Sequence, residues 1–447
     1  NNLAEELGLN FSNIDNENLS ILFSGNLLPE GSEAIAQAYA GHQFGHFTML
    51  GDGRAVLMGE HITKNDERFD IQFKGSGKTP FSRNGDGRAA LGPMLREYII
   101  SEAMHALNIP TTRSLAVVKT GENVLRENIL QGAILTRVAS SHLRVGTFQY
   151  ISARQNENEL KTLVTYTLNR HYPNIKTSEN QALDLLKVLI KKQIDLVINW
   201  MRVGFIHGVM NTDNMTISGE TIDYGPCAFM DIYDPQTVFS SIDQLGRYAY
   251  FNQPSITKWN LARFAECLVP IINEDKNKAI DIATETINNF ETIYEKKWLN
   301  MMRDKLGLFG EDIKDQVLIL DLLTWMHQNK ADYTNTFCFL MNEKIKSIKI
   351  YEDQNFLMWK KRWNERVLLN NSTPEKCLSL MRSVNPLVIP RNQNVEEALL
   401  AANNNDLTLF NKLIKILEKP YQNQKNILDY QSPPPFGDEK YQTFCGT

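Results

Sequence analysis

The sequence predicts a mixed α/β fold with two lobes, the first small and rich in strands, the second larger and helical. Glycine recurs at short intervals from Gly41 to Arg88, between short runs of strand-forming residues. From about residue 155 onwards the apolar residues recur at helical spacing instead. These patterns predict a first lobe over residues 1–150, a helical lobe over 151–340 and a C-terminal helical extension over 341–447.

The first lobe is predicted to contain three strands, a helix and two further strands. The strands are expected over residues 47–50, 55–58, 69–74, 114–118 and 132–138. The first two flank Gly51-Asp52-Gly53-Arg54, a pattern that favours a hairpin with a tight turn. A helix is predicted over 92–107, because Pro93 stands in its first turn and Pro110 lies beyond its end.

The second part of the chain is dominated by helical patterns. A broad apolar stripe from Ala182 to Met201 predicts a long buried helix that ends at Gly204. A segment rich in Gly, Asn and Asp follows over residues 207–234. Further helices are predicted over 257–272, 277–305, 312–329, 355–368 and 394–417. The residues from Pro433 onwards are expected to form an extended tail.

Composition excludes several classes of protein. The 47 Lys and Arg against 52 Asp and Glu give a net charge of −5, without the basic excess of a dedicated nucleic-acid-binding protein. The five cysteines form no C-x-x-C pair, which argues against structural zinc and against a disulfide scaffold. No apolar run approaches the ~18 residues that cross a bilayer, and the polar start has no signal-peptide pattern. We therefore expect a cytoplasmic, monomeric enzyme that binds neither nucleic acid nor membrane, and a mitochondrial one only if a transit peptide was removed upstream.

The segment after the long helix has the residue order of a kinase catalytic loop. Asn214 stands seven residues after His207, as the metal-binding Asn of kinases does, and Asp223-Tyr224-Gly225 takes the place of the D-F-G sequence. The position of the kinase catalytic Asp is Val209, which cannot accept a proton. Asp213, directly before Asn214, is the nearest carboxylate in the loop.

Two upstream residues complete the kinase pattern. Lys74 ends a predicted strand, and Glu97 follows 23 residues later inside the predicted helix. Each residue alone is weak evidence, because such side chains usually face solvent. Their joint order and spacing favour nucleotide binding by a protein-kinase-like bilobal fold with extra C-terminal helices.

The element Gly-Asp-Gly-Arg-Ala occurs twice, at residues 51–55 and 85–89. Two copies are too few for a repeat architecture, which needs about three. They are either two similar turns, or two groups of main-chain N–H donors that hold phosphate together with Arg54 and Arg88.

At these residues the sequence resembles the selenoprotein O family of protein adenylyltransferases, from about residue 19 to residue 447. The resemblance rests on long strings and not on single residues. The strings are Gly41–Gly45, Leu50–Arg54, Asn84–Ala89, Ser101–His105, Arg137–Arg144, His207–Met215 and Asp223–Pro226. Members of this family look like pseudokinases by motif and are enzymes by activity.

The resemblance implies transfer of AMP from ATP to Ser, Thr or Tyr hydroxyls of proteins, with Mg²⁺ or Mn²⁺. It implies that Asp213 is the base, that Glu97 orients Lys74, and that Asn214 and Asp223 bind the metal. The nucleotide site that it implies consists of Gly51, Gly53, Arg54, Lys74, Asp86, Gly87, Arg137, Arg144 and Asp223. Redox proteins are the expected acceptors, and self-modification is a further expectation.

The family also carries a selenocysteine or cysteine near its C-terminal end, and Cys445 resembles that redox position. Some bacterial relatives pair it with a cysteine beyond the D-Y-G segment, but Val238-Phe239-Ser240 has none at that place. Cys227 is the alternative partner. The resulting hypothesis is a Cys227–Cys445 bridge that gates the active site.

Three alternative functions stay open at this point. A kinase-like phosphotransferase fits the motif order, although Val209 argues against it. Transfer of UMP fits equally well, since no residue pattern identifies the base. An inactive nucleotide-binding pseudokinase scaffold is the third.

Overall fold

We describe residues 2–175, 179–433 and 441–443 of a computed structural model. The chain begins with two short helices, α1 (Asn2–Glu6) and α2 (Asn16–Phe23). The strands of the first lobe are β1 (Ala38–Gln43), β2 (His46–Gly51), β3 (Ala55–Ile62), β4 (Arg68–Lys74), β5 (Ala89–Ala90), β6 (Arg113–Leu125) and β7 (Ile129–Ala139). Strand β7 is antiparallel to β4, β5 and β6, and β3 extends the sheet beyond β4.

The predicted hairpin across Gly51-Asp52-Gly53-Arg54 is wrong. Strand β2 pairs with β1 in a separate two-stranded sheet, and β3 pairs with β4. The reason is Asp52, which is 2% exposed and fixes the connection between the two sheets. Its main-chain N donates to Gln37 O at 2.9 Å, and its carboxylate accepts from Gln72 Nε2 at 3.2 Å. Alternation within a strand shows which face is buried, but it does not identify the partner strand.

Helix α3 (Leu91–Ala106) confirms the helix predicted over 92–107. Its buried face, which includes Met94, Ile99 and Met104, packs against β6 and β7. Glu97 lies on this buried face and not on the solvent side. A carboxylate in that position requires a charged partner, and the candidate site supplies two.

The second lobe is helical, as predicted. It begins with α4 (Val145–Ala153), α5 (Glu157–His171) and the long α6 (Gln181–Val203). Gly204, with a φ of 74°, ends α6 in the left-handed conformation that glycine adopts without strain. The two-stranded pair β8 (Phe205–Ile206) and β9 (Ala228–Phe229) follows, and the loop between these strands carries the kinase-like motifs.

Eight further helices and a short last one complete the described chain. They are α7 (Gln253–Ile272), α8 (Lys276–Lys305), α9 (Asp315–Gln328), α10 (Tyr333–Leu340), α11 (Gln354–Leu368), α12 (Pro374–Val384), α13 (Asn392–Asn403), α14 (Thr408–Leu417) and α15 (Ile427–Gln431). Among the described residues no helix is both long and apolar enough to span a membrane. Helices α13 and α14 pack against α3, so the extension touches the helix that carries Glu97.

The single helix predicted over 394–417 is wrong, because the structure has two. Asn405 adopts a φ of 65° between α13 and α14, and Asp406 accepts a hydrogen bond from Thr408 N at 2.8 Å. Asn and Asp side chains compete with helical hydrogen bonds and tolerate the left-handed region. Four such residues in succession, Asn403-Asn404-Asn405-Asp406, therefore interrupt the helix despite the continuous apolar spacing.

Candidate active site

A cleft of about 410 Å³ lies between the two lobes, and it brings the predicted site residues together. The sheet and its loops form one wall, and the loop between β8 and β9 forms the other. The predicted residues that line the cleft are Gly51, Gly53, Arg54, Lys74, Asp86, Gly87, Arg137, Arg144, Asp213, Asn214 and Asp223. Glu97 lies behind this surface and contacts the cleft through its partners.

Four charged side chains form a cluster at the back of the cleft, in which Lys74, Glu97 and Arg137 are buried and Asp223 is partly exposed. Lys74 Nζ lies 2.6 Å from Glu97 Oε2 and 2.8 Å from Asp223 Oδ1. Arg137 bridges the same two carboxylates, with NH2 at 2.5 Å from Glu97 Oε1 and 2.6 Å from Asp223 Oδ1. Strands β4 and β7, which place Lys74 and Arg137, are neighbours in the sheet. Lys74 and Arg137 are therefore each paired with two carboxylates, and this attraction offsets the free-energy cost of burying their charges.

Arg144 extends this cluster towards the catalytic loop. Its NH1 lies 3.5 Å from Asp223 Oδ2 and donates to the main-chain carbonyl of Asp213 at 3.3 Å. Its NH2 lies 3.7 Å from Asp52, and its guanidinium lies 4.5 Å from the centre of the Tyr39 ring. Arg144 thus links three parts of the cleft wall.

Asp223 is the point on which the three cations converge. Burial alone would raise its pKa, but Arg137, Lys74 and Arg144 together hold the pKa well below the usual value. Asp223 also adopts a φ of 60°, which is uncommon for a residue other than glycine. A backbone held in this way is typical of a functional site. The carboxylate is therefore ionised throughout the physiological pH range.

The pKa of Asp213 is shifted in the opposite direction to that of Asp223. Burial raises its pKa to about 6, although Arg144 favours the charged form. Its Oδ1 is buried and accepts no hydrogen bond from the described residues. A β-carbon added at Gly41 would lie 2.2 Å from Oδ1, so only glycine fits there. The result is a carboxylate with a free oxygen and a pKa close to neutrality, which suits a general base.

The catalytic loop is fixed by buried polar contacts. His207 N donates to Gln253 Oε1 at 3.0 Å, and His207 Nε2 donates to Ile222 O at 2.8 Å. Val209 lines the cleft at the place where a kinase has its catalytic Asp. Because Val209 has no polar atom in its side chain, it cannot accept a proton, and Asp213 is the carboxylate of this loop that lines the cleft.

Asn214 and Asp223 provide a donor pair of the kind that Mg²⁺ or Mn²⁺ prefers. Asn214 Nδ2 donates to Val209 O at 3.0 Å, which leaves its Oδ1 available. Mg²⁺ usually binds through one or two carboxylates together with phosphate oxygens and water. Within the described chain no group of three or more His, Cys, Asp or Glu side chains is placed to hold a metal. The two residues fit a cation that shares its coordination with a bound phosphate.

The two Gly-Asp-Gly-Arg elements both line the cleft, but their aspartates differ. Asp52 is buried, and burial raises its pKa, whereas Asp86 is exposed and its pKa is lowered to about 2 by hydrogen bonds from Arg126. A β-carbon at Gly87 would lie 2.0 Å from Gly77 O, so the loop approaches the neighbouring backbone closely. The pair is thus not a simple repeated turn, since the first copy joins two sheets and the second borders the cleft opening.

Three charged or aromatic residues of the cleft lining were not predicted from the sequence, namely Tyr39, Asp52 and Arg126. Arg88, which one interpretation of the repeated element named as a phosphate ligand, also lines the cleft. Asp52 belongs to the same element, which offered a signal for it. Tyr39 and Arg126 reach the cleft from segments without any motif, so no local pattern could identify them.

Of the two predicted redox cysteines, Cys445 lies outside the described residues. Cys227 is buried, with 0% exposure. Thr443 Oγ1 donates to Pro226 O at 2.7 Å, so the residue two positions before Cys445 lies against the residue directly before Cys227. The described part of the tail therefore reaches the loop that follows Asp223.

The cleft combines three cations, an oxygen donor pair and a carboxylate with a raised pKa. Lys74, Arg137 and Arg144 line the cleft and can donate hydrogen bonds to a polyphosphate, for which Arg provides paired N–H donors. Asp213 can accept a proton from a hydroxyl that enters from the other side. This arrangement suits transfer of a phosphorus group to an acceptor oxygen.

Comparison with known proteins agrees with this chemistry. The family model for protein adenylyltransferase SelO matches residues 1–418. The chain is 70% identical to the protein nucleotidyltransferase YdiU of Pelagibacter ubique, over 100% of this chain and 92% of that protein. It is 58% identical to YdiU of Nitrosococcus oceani and 57% identical to YdiU of Halalkalibacterium halodurans, in both cases over 100% of this chain and 91% of the relative. The chain therefore belongs to the SelO family of protein adenylyltransferases and is a nucleotidyltransferase.

Proposed function

We propose that this protein transfers AMP from ATP to the hydroxyl of a Ser, Thr or Tyr residue in an acceptor protein and releases pyrophosphate. The observation that carries the proposal is the pairing of a carboxylate with a raised pKa, Asp213, with the three cations Lys74, Arg137 and Arg144 in one cleft. Pyrophosphate leaves with more negative charge than a single transferred phosphoryl group. A cluster of three cations suits that leaving group.

The proposed reaction assigns one task to each group. The acceptor oxygen attacks the α-phosphorus, and the bond from that phosphorus to the bridging oxygen of the β-phosphate breaks. The hydroxyl proton passes to Asp213, whose pKa of about 6 leaves it mostly ionised at neutral pH. Lys74, Arg137 and Arg144 hold the departing pyrophosphate.

The bound divalent cation would neutralise phosphate charge, and Asn214 with Asp223 would hold it. Glu97 is assigned a positioning task, because it contacts Lys74 and Arg137 directly and lies behind the cleft surface. Its own pKa is held below the usual value, since the attraction of Arg137 and Lys74 outweighs the effect of burial. It therefore stays charged and fixes both cations.

The decisive experiment compares ATP labelled at the α-phosphorus with ATP labelled at the γ-phosphorus. We expect the α-label on the acceptor and the γ-label in pyrophosphate. Label from the γ-position on the acceptor would instead identify a phosphotransferase, and a preference for labelled UTP would identify UMP transfer. Asp213→Asn is the matched control, because it keeps the size of the side chain and removes the base.

Several finer features form part of the same proposal. We expect Mg²⁺ or Mn²⁺ as the metal, a monomeric protein, and a cytoplasmic location where ATP is supplied. The acceptors are expected to be proteins, redox proteins in particular, and self-modification is expected at high enzyme concentration. Mass spectrometry of lysate proteins that gain an AMP adduct identifies the acceptors directly.

A further inference from the structure

A basic and aromatic surface lies beside the proposed base and takes no part in the nucleotide cleft. We call it the Trp259 patch, and it consists of His42, Arg247, Trp259 and Arg263. The guanidinium groups of Arg247 and Arg263 each lie 4.9 Å from the centre of the Trp259 ring. The His42 ring meets the same ring edge to face at 5.3 Å. None of the four residues lines the cleft that would hold ATP.

The patch is attached to the catalytic loop on the side of the base. His42 N donates to Thr212 Oγ1 at 2.7 Å, and the preceding residue, Gly41, abuts the Asp213 carboxylate. On the other side, Asn260 Nδ2, next to Trp259 on α7, donates to Met210 O at 2.9 Å. The patch is therefore anchored beside the catalytic loop, and its residue His42 directly follows the residue that abuts Asp213.

A third attachment fixes Arg247. Its neighbour Tyr248 donates through its hydroxyl to Asn211 Oδ1 at 2.7 Å, and Asn211 also accepts from Phe44 N at 3.1 Å. The turn of the β1–β2 hairpin lies against the guanidinium, since a β-carbon at Gly45 would be 3.9 Å from it. The segment that carries Arg247 is thus anchored to the catalytic loop through Tyr248, and the guanidinium itself lies against the hairpin and Trp259.

The positive charge of this surface is not fully neutralised within the described chain. No described carboxylate lies within ion-pair distance of Arg247, and the nearby Asp243 is occupied by the main-chain N–H groups of Arg247 and Tyr248. Arg263 pairs at 2.5 Å with Glu266, whose side chain is 59% exposed, and such a pair is easily exchanged. The Nε atoms of Arg247 and Arg263 are both buried without a hydrogen-bond partner among the described residues.

The pKa of His42 reflects the same positive electrostatic potential. Burial lowers its pKa, and Arg263 and Arg247 lower it further. Two guanidinium groups over one ring repel each other, and cation–π attraction at a partly exposed site offsets only about 0.5–1 kcal/mol of that repulsion. An anion in contact with these guanidinium groups would offset their positive charge and accept hydrogen bonds from their remaining N–H groups.

We propose that the Trp259 patch binds an acidic side chain of the acceptor protein and thereby selects hydroxyls that lie near an Asp or Glu. This inference rests on the proposed function and names the substrate class of the same site. His42 is the neighbour of Gly41, which abuts Asp213, and an extended segment advances about 3.3 Å per residue, so we expect the acidic residue within about three positions of the acceptor hydroxyl. Phe47, which is 47% exposed and lies 5.3 Å from His42, adds an apolar contact at the edge.

The test uses two synthetic peptides that each carry one Ser. One peptide has Glu three residues before and three residues after this Ser, and the other has Gln at both positions. With α-labelled ATP we expect kcat/KM of the wild-type protein to be about tenfold higher for the Glu peptide at low salt. The difference should shrink at high salt, because exposed charges are screened. Arg247→Glu should abolish or reverse the preference.

Arg362→Glu is the matched control, since this arginine is 50% exposed on α11 and far along the chain from the patch. It should keep the preference for the Glu peptide. Titration with ATP reports whether Arg247→Glu is folded, and Arg263→Gln provides a second variant with a smaller change. Equal kcat/KM for both peptides in the wild type, or an unchanged preference in Arg247→Glu, overturns the inference. Absence of α-label from both peptides and from the enzyme itself would overturn the proposed function instead.

Discussion

Lys74 Nζ lies 2.6 Å from Glu97 Oε2, at a point where the two side chains are 6% and 2% exposed. This contact joins the strand at the back of the cleft to helix α3. Because helices α13 and α14 pack on α3, the C-terminal extension supports the same contact from behind. The position of Lys74 thus depends on the first lobe and on the C-terminal extension together.

Replacing Glu97 with Gln should destabilise the ligand-free protein by about 3–5 kcal/mol, because it leaves Lys74 and Arg137 buried with a single carboxylate. Urea unfolding measures this loss. Glu122→Gln is the control, since Glu122 is 60% exposed in its pair with Arg88 and its loss should cost less than about 1 kcal/mol. Equal stabilities of the two variants would contradict the structural role of Glu97.

The same substitution has a predicted pH dependence. The pKa of Glu97 is lower in the folded protein than in the unfolded chain, where it is roughly 4.3. Its stabilisation is therefore present above that pH and is lost as the pH falls through the folded value. The difference in unfolding free energy between wild type and Glu97→Gln should accordingly shrink in acid and stay constant near neutrality.

The rate of transfer should depend on the ionisation of Asp213. Since its pKa is raised to about 6, log kcat/KM should rise by about one per pH unit below pH 6 and level off above it. Steady-state kinetics with a peptide acceptor between about pH 4.5 and 8 measure this profile. Asp213→Asn should lose 10²–10⁴-fold in rate, roughly the contribution of a general base, and show no such rise. A wild-type profile without a limb near pH 6 would reject Asp213 as the base.

Several residues of the candidate site could be predicted because each lies at a recognisable position within a single strand, helix or loop. Lys74 ends a strand, Glu97 lies on a helix, and Asn214 and Asp223 follow the pattern of a known loop, so order and spacing were sufficient to predict that these residues come together. The β1–β2 hairpin was missed because alternation does not identify the partner strand. Tyr39 and Arg126 were missed because only tertiary contacts bring them to the cleft.

The redox-gate hypothesis predicts that oxidation joins Cys227 to Cys445. Thr443 and Pro226, which are in hydrogen-bond contact, lie two positions and one position from these cysteines in the sequence. Burial raises the pKa of Cys267 and of Cys338 to about 12, so these thiols carry little thiolate and should stay unreacted. Peptide mapping without reductant, after treatment with diamide, should find the joined peptide and a changed transfer rate. Alkylation of both thiols after oxidation would reject the bridge, and Cys227→Ser serves as the control without redox response.

The contact between Gly41 and Asp213 predicts a mutant that impairs transfer without removing a functional group. In Gly41→Ala the new β-carbon would lie 2.2 Å from Asp213 Oδ1 and 2.8 Å from its Cγ, so the carboxylate must move. A displacement of about 1 Å in a catalytic group costs on the order of 100-fold in rate, and kcat should fall by that amount. ATP affinity should change less than about twofold, since the phosphate-binding cations contact other atoms.

Gly92→Ala is the matched control, because a β-carbon there meets nothing within 4 Å and the change favours the helix by up to about 1 kcal/mol. Unchanged kcat in Gly41→Ala would show that the base does not occupy the position observed here.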